Sequence, residues 1–78
     1  HEHRFLWRRG DESISGVIDL ILETEEELIV IDYKLSDINK EEYDRQLNLY
    51  SGYLRSVSPK RVSAYLYSLL NEELRRVV

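Results

Sequence analysis

The sequence predicts an α+β fold with one main helix and the element order β-β-β-α-β-β, and three observations lead to it. Two segments rich in apolar and β-branched residues, 13–23 and 28–35, flank a short acidic break, which is typical of a β-hairpin. Apolar residues then recur at helical spacing over residues 40–57. Alternating segments at 62–70 and 74–78 predict C-terminal strands. A chain of 78 residues is expected to form at most one small domain.

The N-terminal half is predicted to contain only strands. Arg4–Arg9 has the length of a short strand, and Gly10-Asp11 marks the turn after it. The hairpin over residues 13–35 follows, with its turn at Glu25–Glu27. In the second half, the helix 40–57 is expected to begin after Asn39 as N-cap, with Glu42 as the capping-box partner of this residue. Its end is expected at Ser58-Pro59, because proline disfavours helical geometry in the residue before it.

Composition narrows the class of protein. Hydrophobic residues make up 42% and charged residues 33% of the chain, the profile of a soluble globular protein. No apolar run approaches the roughly 20 residues that span a bilayer, and no signal-peptide core follows the N-terminus, so no membrane partner is expected. Cysteine is absent, which excludes a disulfide framework, a zinc knuckle and an iron–sulfur cluster. These features favour a cytoplasmic location.

The charge pattern bears on nucleic-acid binding. The net charge is −4, and the acidic residues cluster at Glu23 and Glu25–Glu27, in a turn expected to be distant from any site. Strong sequence-independent DNA binding needs several phosphate contacts, and this chain is expected to offer only a few. Tight DNA binding is therefore expected to depend on a larger parent protein. The basic residues form three small groups: Arg4, Arg8 and Arg9; Lys60 and Arg61; Arg75 and Arg76.

Two aspartates interrupt the apolar strands of the hairpin. A carboxylate buried there without a partner is unfavourable by several kcal/mol. A hairpin that turns symmetrically about Glu25-Glu26 places Asp19 directly opposite Asp32, and directly opposed residues share a face of the sheet. Lys34 lies two residues after Asp32 and therefore points to the same face.

This patch has two interpretations. Two carboxylates, with the backbone carbonyl of Tyr33 as a further oxygen, suit Mg²⁺ or Mn²⁺, because Mg²⁺ commonly takes one or two carboxylates and fills its other positions with water and phosphate oxygens. Alternatively, Lys34 neutralises Asp32 or Asp19 in a structural ion pair. Spacing alone leaves both open.

A resemblance extends the first interpretation. Gly16-Val17-Ile18-Asp19, then Ile31-Asp32-Tyr33-Lys34, then Gln46 and Tyr50 resemble the G-h-h-D, h-h-D-Y-K and Q-x-x-x-Y pattern of RecB-like and AddA-like nuclease domains in the PD-(D/E)xK superfamily. The similarity covers about half the chain, 16–54, and lies in the order and the strand-strand-helix context of the motifs. It implies a restriction-endonuclease-like core with a mixed sheet.

The resemblance also implies roles. Asp19 and Asp32, with the Tyr33 carbonyl, would bind Mg²⁺ or Mn²⁺. Lys34 would orient the attacking water or stabilise charge on the scissile phosphate, so that Asp19, Asp32 and Lys34 form the catalytic set for hydrolysis of a DNA phosphodiester. Gln46 and Tyr50 would bind substrate beside them. Tyr50 also fits a core residue with a polar tip, because the buried stripe of the helix is expected to be Tyr43, Leu47, Tyr50 and Leu54.

The sequence also departs from the family pattern. The helix that precedes the first strand in the family, with its acidic residue and metal-binding histidine, has no counterpart, and His1 and His3 are expected to be solvated. The chain is therefore expected to be part of a larger nuclease domain, with the helicase portion of a parent chain as partner. Alone, it is expected to cleave weakly or not at all and to self-associate through an exposed apolar sheet face.

Three functions stay open on the sequence. The first is a metal-dependent DNA exonuclease domain of a helicase–nuclease, acting in DNA recombination and repair. The second is a catalytically silent module of the same fold that binds DNA or a partner protein. The third is an unrelated α+β interaction domain with structural aspartates. Metal titration separates the third from the others, and a cleavage assay separates the first two.

Overall fold

A two-stranded ribbon and a four-stranded mixed sheet, with a helix packed between them, make up the fold of the computed structural model, which describes residues 2–78. The α+β class, the mixed sheet and the main helix are confirmed. The elements are β1 (His3–Arg9), β2 (Glu12–Ile18), β3 (Leu20–Glu23), β4 (Glu27–Lys34), α1 (Glu41–Val57), β5 (Arg61–Ser68) and β6 (Glu73–Arg76).

The strand predicted over 13–23 is two strands. β2 pairs with β1, ending with Ile18 opposite His3, whereas β3 pairs with β4, beginning with Leu20 opposite Ile31. Asp19 therefore lies where the chain leaves the ribbon and enters the sheet. Periodicity could not show this break, because apolar residues continue through both strands and only the change of pairing partner separates them.

The sheet has the order β3-β4-β5-β6, with β4 and β5 parallel and both outer pairs antiparallel. Parallel neighbours need a crossover connection, usually a helix, and α1 provides it between β4 and β5. The helix covers the sheet face that carries Leu28 and Val30, with 7% and 0% of their surface exposed. In the described residues, no helix is long and apolar enough to cross a membrane.

The core lies between α1, this sheet face and the inner face of the ribbon. Leu47, Tyr50 and Leu54 of the predicted helical stripe are buried, and Tyr43 is partly buried. The buried hydrophobic residues are Phe5, Ile18, Leu28, Val30, Ile38, Leu47, Tyr50, Leu54, Val62, Ala64 and Leu66.

The predicted cap of the helix is wrong. Lys40 occupies the N-cap position without a side-chain hydrogen bond to the helix. The backbone N–H of Asn39 donates to Asp37 Oδ1 at 3.0 Å, and the Asn39 side-chain amide donates to the same oxygen at 3.0 Å. Asn39 therefore closes a local Asx turn before the helix. Short side-chain to backbone bonds of this kind compete directly with capping.

The C-terminal strands are shorter than predicted, since β5 ends at Ser68 and β6 at Arg76. Glu72, in the turn between them, has φ of 51°, a conformation that does not continue a strand. Beyond β6, the N–H of Val77 donates to the carbonyl of Ala64 at 2.8 Å, so the chain stays beside β5.

An aromatic cluster joins the ribbon to the helix. The ring of Phe5 stacks on Tyr53 with centroids 4.2 Å apart and meets Tyr50 edge-on at 5.6 Å. Gly16 lies against the same rings. A Cβ atom built there would be 2.9 Å from Tyr50 Cε1 and 3.0 Å from Phe5 Cε1. The missing side chain is thus what lets the two rings approach the ribbon.

We expect Gly16→Ala to destabilise the protein by about 1–3 kcal/mol, the usual penalty for overpacking a core, measured by urea unfolding. Gly52→Ala is the matched control, because its Cβ would meet only Trp7 at 3.3 Å and 3.6 Å and alanine favours the helix by up to about 1 kcal/mol. Equal losses of stability in both variants would contradict the close approach at Gly16.

The sheet face opposite the helix is apolar and partly open. Leu22, Tyr33 and Leu74 lie on it and are 45%, 43% and 57% exposed. A contiguous apolar patch that is exposed to solvent often marks an interaction surface. The exposed face gives a physical basis for the self-association predicted from the sequence.

That prediction is tested by sedimentation velocity over a range of concentrations. We expect reversible association that Leu22→Glu weakens by at least about tenfold, since it places a charge in the apolar contact. Leu6→Glu is the control, because Leu6 is exposed (62%) on the outer face of the ribbon instead. A monomer at all concentrations, or equal weakening by both variants, would rule out association through this face.

Candidate active site

The pairing of β3 with β4 brings the two predicted aspartates together. The register joins Leu20 to Ile31 and Ile21 to Val30, as a hairpin symmetric about Glu25-Glu26 predicts. The next pair along this register is Asp19 and Asp32. Asp19 Oδ2 accepts a hydrogen bond of 3.0 Å from the backbone N–H of Tyr33, which fixes its carboxylate against the end of β4.

Asp32 is the buried member of the pair, with 3% of its surface exposed. Its Oδ2 atom is buried, and Lys34 Nζ lies 2.9 Å from it in an ion pair. Burial raises the pKa of Asp32 above its ordinary value of 3.8, Lys34 opposes this rise, and the neighbouring Asp19 adds to it. The site therefore holds negative charge that the protein only partly compensates.

Lys34 is held by several groups. Its Nζ donates a 3.0 Å hydrogen bond to Gln46 Oε1 and lies 2.9 Å from Asp32 Oδ2. The ring of Tyr43 contacts the same ammonium, with its centroid 4.4 Å from Nζ. The lysine side chain is 19% exposed, so it is accessible from solvent on one side.

Gln46 and Tyr50 lie beside the lysine, as predicted. Gln46 Nε2 donates to Tyr50 Oη at 2.9 Å, so that the helix connects the buried tyrosine to Lys34 through one amide. Tyr50 is 5% exposed, which matches its interpretation as a core residue with a polar tip. Burial, with a smaller effect from the charge of Asp32, raises the pKa of the Tyr50 hydroxyl, which therefore stays protonated at neutral pH.

Tyr33 contributes its backbone rather than its ring. The ring points to the other sheet face, where it meets Tyr67 edge-on at a centroid distance of 6.1 Å, as strand alternation predicts. The N–H of Tyr33 binds Asp19. The predicted use of its carbonyl as a metal ligand stays a prediction.

Tyr43 is the neighbour of the site that sequence reasoning missed, because it was assigned only to the buried stripe. A signal for it was present: Tyr43 lies three residues before Gln46, and residues three apart are neighbours on a helix surface. A residue one turn before a predicted site residue was therefore a candidate from the sequence alone.

The donor set fits a hard divalent cation. Asp19 and Asp32 present carboxylate oxygens on one face, and Asp32 is buried there with a single lysine as countercharge. Mg²⁺ is often held by one or two carboxylates together with water and phosphate. In residues 2–78, no group of three or more histidine, cysteine or carboxylate side chains is arranged to hold a metal, so these two aspartates make up the candidate centre. His3 is exposed, and His1 lies outside the described residues.

Several predicted basic residues are engaged within the protein. Lys60 Nζ forms an ion pair with Glu23 and donates to the carbonyl of Thr24 at 2.6 Å. Arg75 Nη2 donates to the carbonyl of Ile38 at 2.7 Å and to Asp44 Oδ1 at 2.6 Å. These contacts reduce the charge available for phosphate binding.

The chain is similar in sequence to known proteins. The sequence model described as the PD-(D/E)XK nuclease superfamily matches residues 1–77. A Listeria innocua protein, named as a subunit of an ATP-dependent helicase/nuclease, is 38% identical over 68 aligned residues, which cover 69% of this chain and 6% of that protein. A Thermoanaerobacter protein of the same name is 35% identical over 66 residues, which cover 74% of this chain and 5% of that protein. The chain thus spans only about one twentieth of these relatives. No solved structure matches it.

We expect Lys34→Met to raise the pKa of Asp32 further in the metal-free protein, because Lys34 is the group that lowers it. A carboxyl pKa that is raised by folding adds stability below the unfolded value of 3.8, and this stability is lost as pH rises through the folded value. In the variant, the Asp32 carboxyl should therefore stay protonated up to a higher pH than in wild type. The variant should also be less stable than wild type at neutral pH.

Carbon-13 NMR of the aspartate carboxyl groups measures this titration directly. Lys60→Met is the control, because Lys60 pairs with Glu23 at the other end of the hairpin, and it should leave Asp32 unchanged. An unchanged Asp32 titration in Lys34→Met would show that the ion pair does not form in solution.

Proposed function

The chain belongs to the PD-(D/E)XK nuclease superfamily, and from this membership we propose that it is the hydrolytic core of a metal-dependent DNA nuclease. The observation that carries the proposal is the buried carboxylate of Asp32 opposite a second carboxylate, that of Asp19, beside a lysine held by Gln46. Placing a partly compensated carboxylate in a core is unfavourable, and a bound cation would offset that penalty.

Asp19 and Asp32 would hold Mg²⁺ or Mn²⁺, with the Tyr33 carbonyl as a further oxygen ligand. When bound, such a cation supplies Lewis-acid stabilisation of a phosphoryl oxygen and lowers the pKa of its water. The N–H of Tyr33 would keep the Asp19 carboxylate oriented throughout, because that hydrogen bond is made from a strand backbone.

Lys34 would orient the attacking water or stabilise charge that develops on the scissile phosphate, since a positioned cation acts most strongly in a partly desolvated site. Gln46 would keep the ammonium on the carboxylate side of the site. The reaction is hydrolysis: the water oxygen bonds to phosphorus, one P–O ester bond breaks, and the leaving sugar oxygen takes up a proton. Direct contact of Gln46 and Tyr50 with substrate stays a prediction.

The names of the relatives describe part of a helicase/nuclease, and we extend this to an exonuclease domain whose partner is a helicase portion of the same parent chain, in DNA recombination and repair. The charge distribution supports that arrangement. The net charge is −4, and Lys60 and Arg75 are paired internally, so a parent protein would have to deliver the DNA. The cytoplasmic location stays a prediction.

The ion pair itself favours a second candidate, a catalytically silent module of the same fold that binds DNA or a partner protein. Lys34 lies 2.9 Å from Asp32, and in a silent module this contact would simply neutralise the carboxylate. The two candidates differ in metal binding and in turnover, so one set of variants separates them.

We expect Mn²⁺ binding by calorimetry, weakened more than about tenfold by Asp19→Asn and by Asp32→Asn, since each removes one charged oxygen ligand. Asp11→Asn, in the ribbon turn, is the control and should bind as wild type does. With Mg²⁺ and DNA, we expect slow cleavage by this chain, lowered by a further 10²–10³-fold, roughly, in Lys34→Met.

Loss of binding in both site variants together with cleavage by wild type supports the nuclease. Metal binding without cleavage, in this chain and in a longer natural chain that contains it, would leave the silent module as the function. Absence of metal binding in both chains would refute the metal site.

A further inference from the structure

Tyr43 lies in the first turn of α1 with its ring against the site lysine. The ring centroid is 4.4 Å from Lys34 Nζ, within the distance at which a cation is attracted to an aromatic face. Its hydroxyl makes only a marginal contact, 3.5 Å to Ser36 Oγ. The aromatic face, rather than the hydroxyl, is therefore the part of Tyr43 that meets the site.

A lysine ammonium needs more than one contact to stay in a single position. Its four-carbon side chain is flexible and loses considerable rotamer entropy when it is fixed. Gln46 and Asp32 contact Nζ through oxygen atoms at 3.0 Å and 2.9 Å. The Tyr43 ring adds a contact of a different kind, which narrows the positions open to the ammonium.

The aromatic contact also preserves hydrogen-bonding capacity. An ammonium carries three N–H donors and no acceptor, and each oxygen acceptor takes up one of them. A ring attracts the cation through its quadrupole and does not require one particular N–H to point at an acceptor atom. The lysine can therefore be held on this side while an N–H stays available for a phosphate oxygen or a water molecule.

We propose that Tyr43 is a positioning residue for the phosphodiester hydrolysis proposed above: its ring holds the Lys34 ammonium beside Asp32 with a donor free for the phosphate. The inference rests on that proposed function, and it concerns a residue outside the G-h-h-D, D-Y-K and Q-x-x-x-Y motifs. Lys40 Nζ also lies over this ring, but it is farther from the centroid, at 5.6 Å, and Lys40 is exposed.

The chemistry of the contact dictates the variants. Tyr43→Phe keeps the aromatic face and removes only the marginal hydroxyl contact. Tyr43→Leu keeps an apolar side chain and removes the ring. Tyr53→Leu is the matched control on the same helix, because the Tyr53 ring stacks on Phe5 at 4.2 Å. This control therefore removes an aromatic ring from the core without touching the lysine.

The first measurement is the proton chemical shift of the Lys34 ε-methylene in the full chain, assigned by NMR. A ring above the ammonium moves this resonance upfield. We expect an upfield position in wild type, Tyr43→Phe and Tyr53→Leu, and a return towards the position of a free lysine in Tyr43→Leu. Thermal unfolding of each variant checks that the fold is retained.

The second measurement is DNA cleavage with Mg²⁺ by the same variants. We expect kcat to fall about tenfold in Tyr43→Leu, in line with the strength of a cation–ring contact, with KM changed less than about twofold, since the ring acts on the group that meets the transition state. Tyr43→Phe should stay within about twofold of wild type, a rescue that a purely hydroxyl-based role would not give.

The results separate this inference from the function on which it rests. Cleavage by wild type without the upfield Lys34 resonance, or an equal loss in Tyr43→Phe and Tyr43→Leu, would overturn the role of Tyr43 and leave the nuclease standing. The upfield resonance without cleavage, in this chain and in a longer natural chain that contains it, would overturn the nuclease and the positioning role together. The upfield resonance with cleavage that depends on the ring supports both.

Discussion

The burial of the Asp32 carboxylate is the constraint around which the rest of the site is arranged. Asp32 lies on the helix-covered face of a central strand and is 3% exposed, where an ionised carboxylate is costly without partners. Lys34 supplies one countercharge, but Asp19 adds a second negative charge beside Asp32. A core that served stability alone would favour an apolar residue at this position. The remaining negative charge is what makes a cation the natural further partner.

The aromatic cluster between the ribbon and the helix supports the lysine from a distance. Phe5 and Gly16 fix the ring of Tyr50, the hydroxyl of Tyr50 accepts from Gln46, and Gln46 accepts from Lys34. The ribbon packing thus positions the ring whose hydroxyl accepts from Gln46. The glycine in the G-h-h-D motif consequently has a steric explanation here: it makes room for the tyrosine of Q-x-x-x-Y, so the two motifs depend on each other through packing.

Asp19 owes its position to a change of pairing partner. The chain pairs with β1 up to Ile18 and with β4 from Leu20 onwards, and Asp19 lies between the two ladders. Because Asp19 belongs to neither ladder, its carboxylate can accept a hydrogen bond from the N–H of Tyr33. One carboxylate is therefore buried in a regular strand, and the other is held at a junction, so the two reach the same patch by different structural means.

The sequence by itself determined the hairpin register, and with it the shared face of Asp19, Asp32 and Lys34, because side chains alternate with a period of two and the acidic turn fixes which residues oppose each other. It also determined the extent of the helix, because the helical spacing of apolar residues and the end signal at Ser58-Pro59 are local features of the sequence. The turn that Asn39 closes with Asp37 is also local, but it competes with capping of the helix, and the capping pattern alone does not show which of the two forms. Only the tertiary structure decided that the strand breaks at Asp19 and that Tyr43 contacts Lys34. Both depend on which partner a segment meets across the fold, and long-range partners are not encoded in local periodicity.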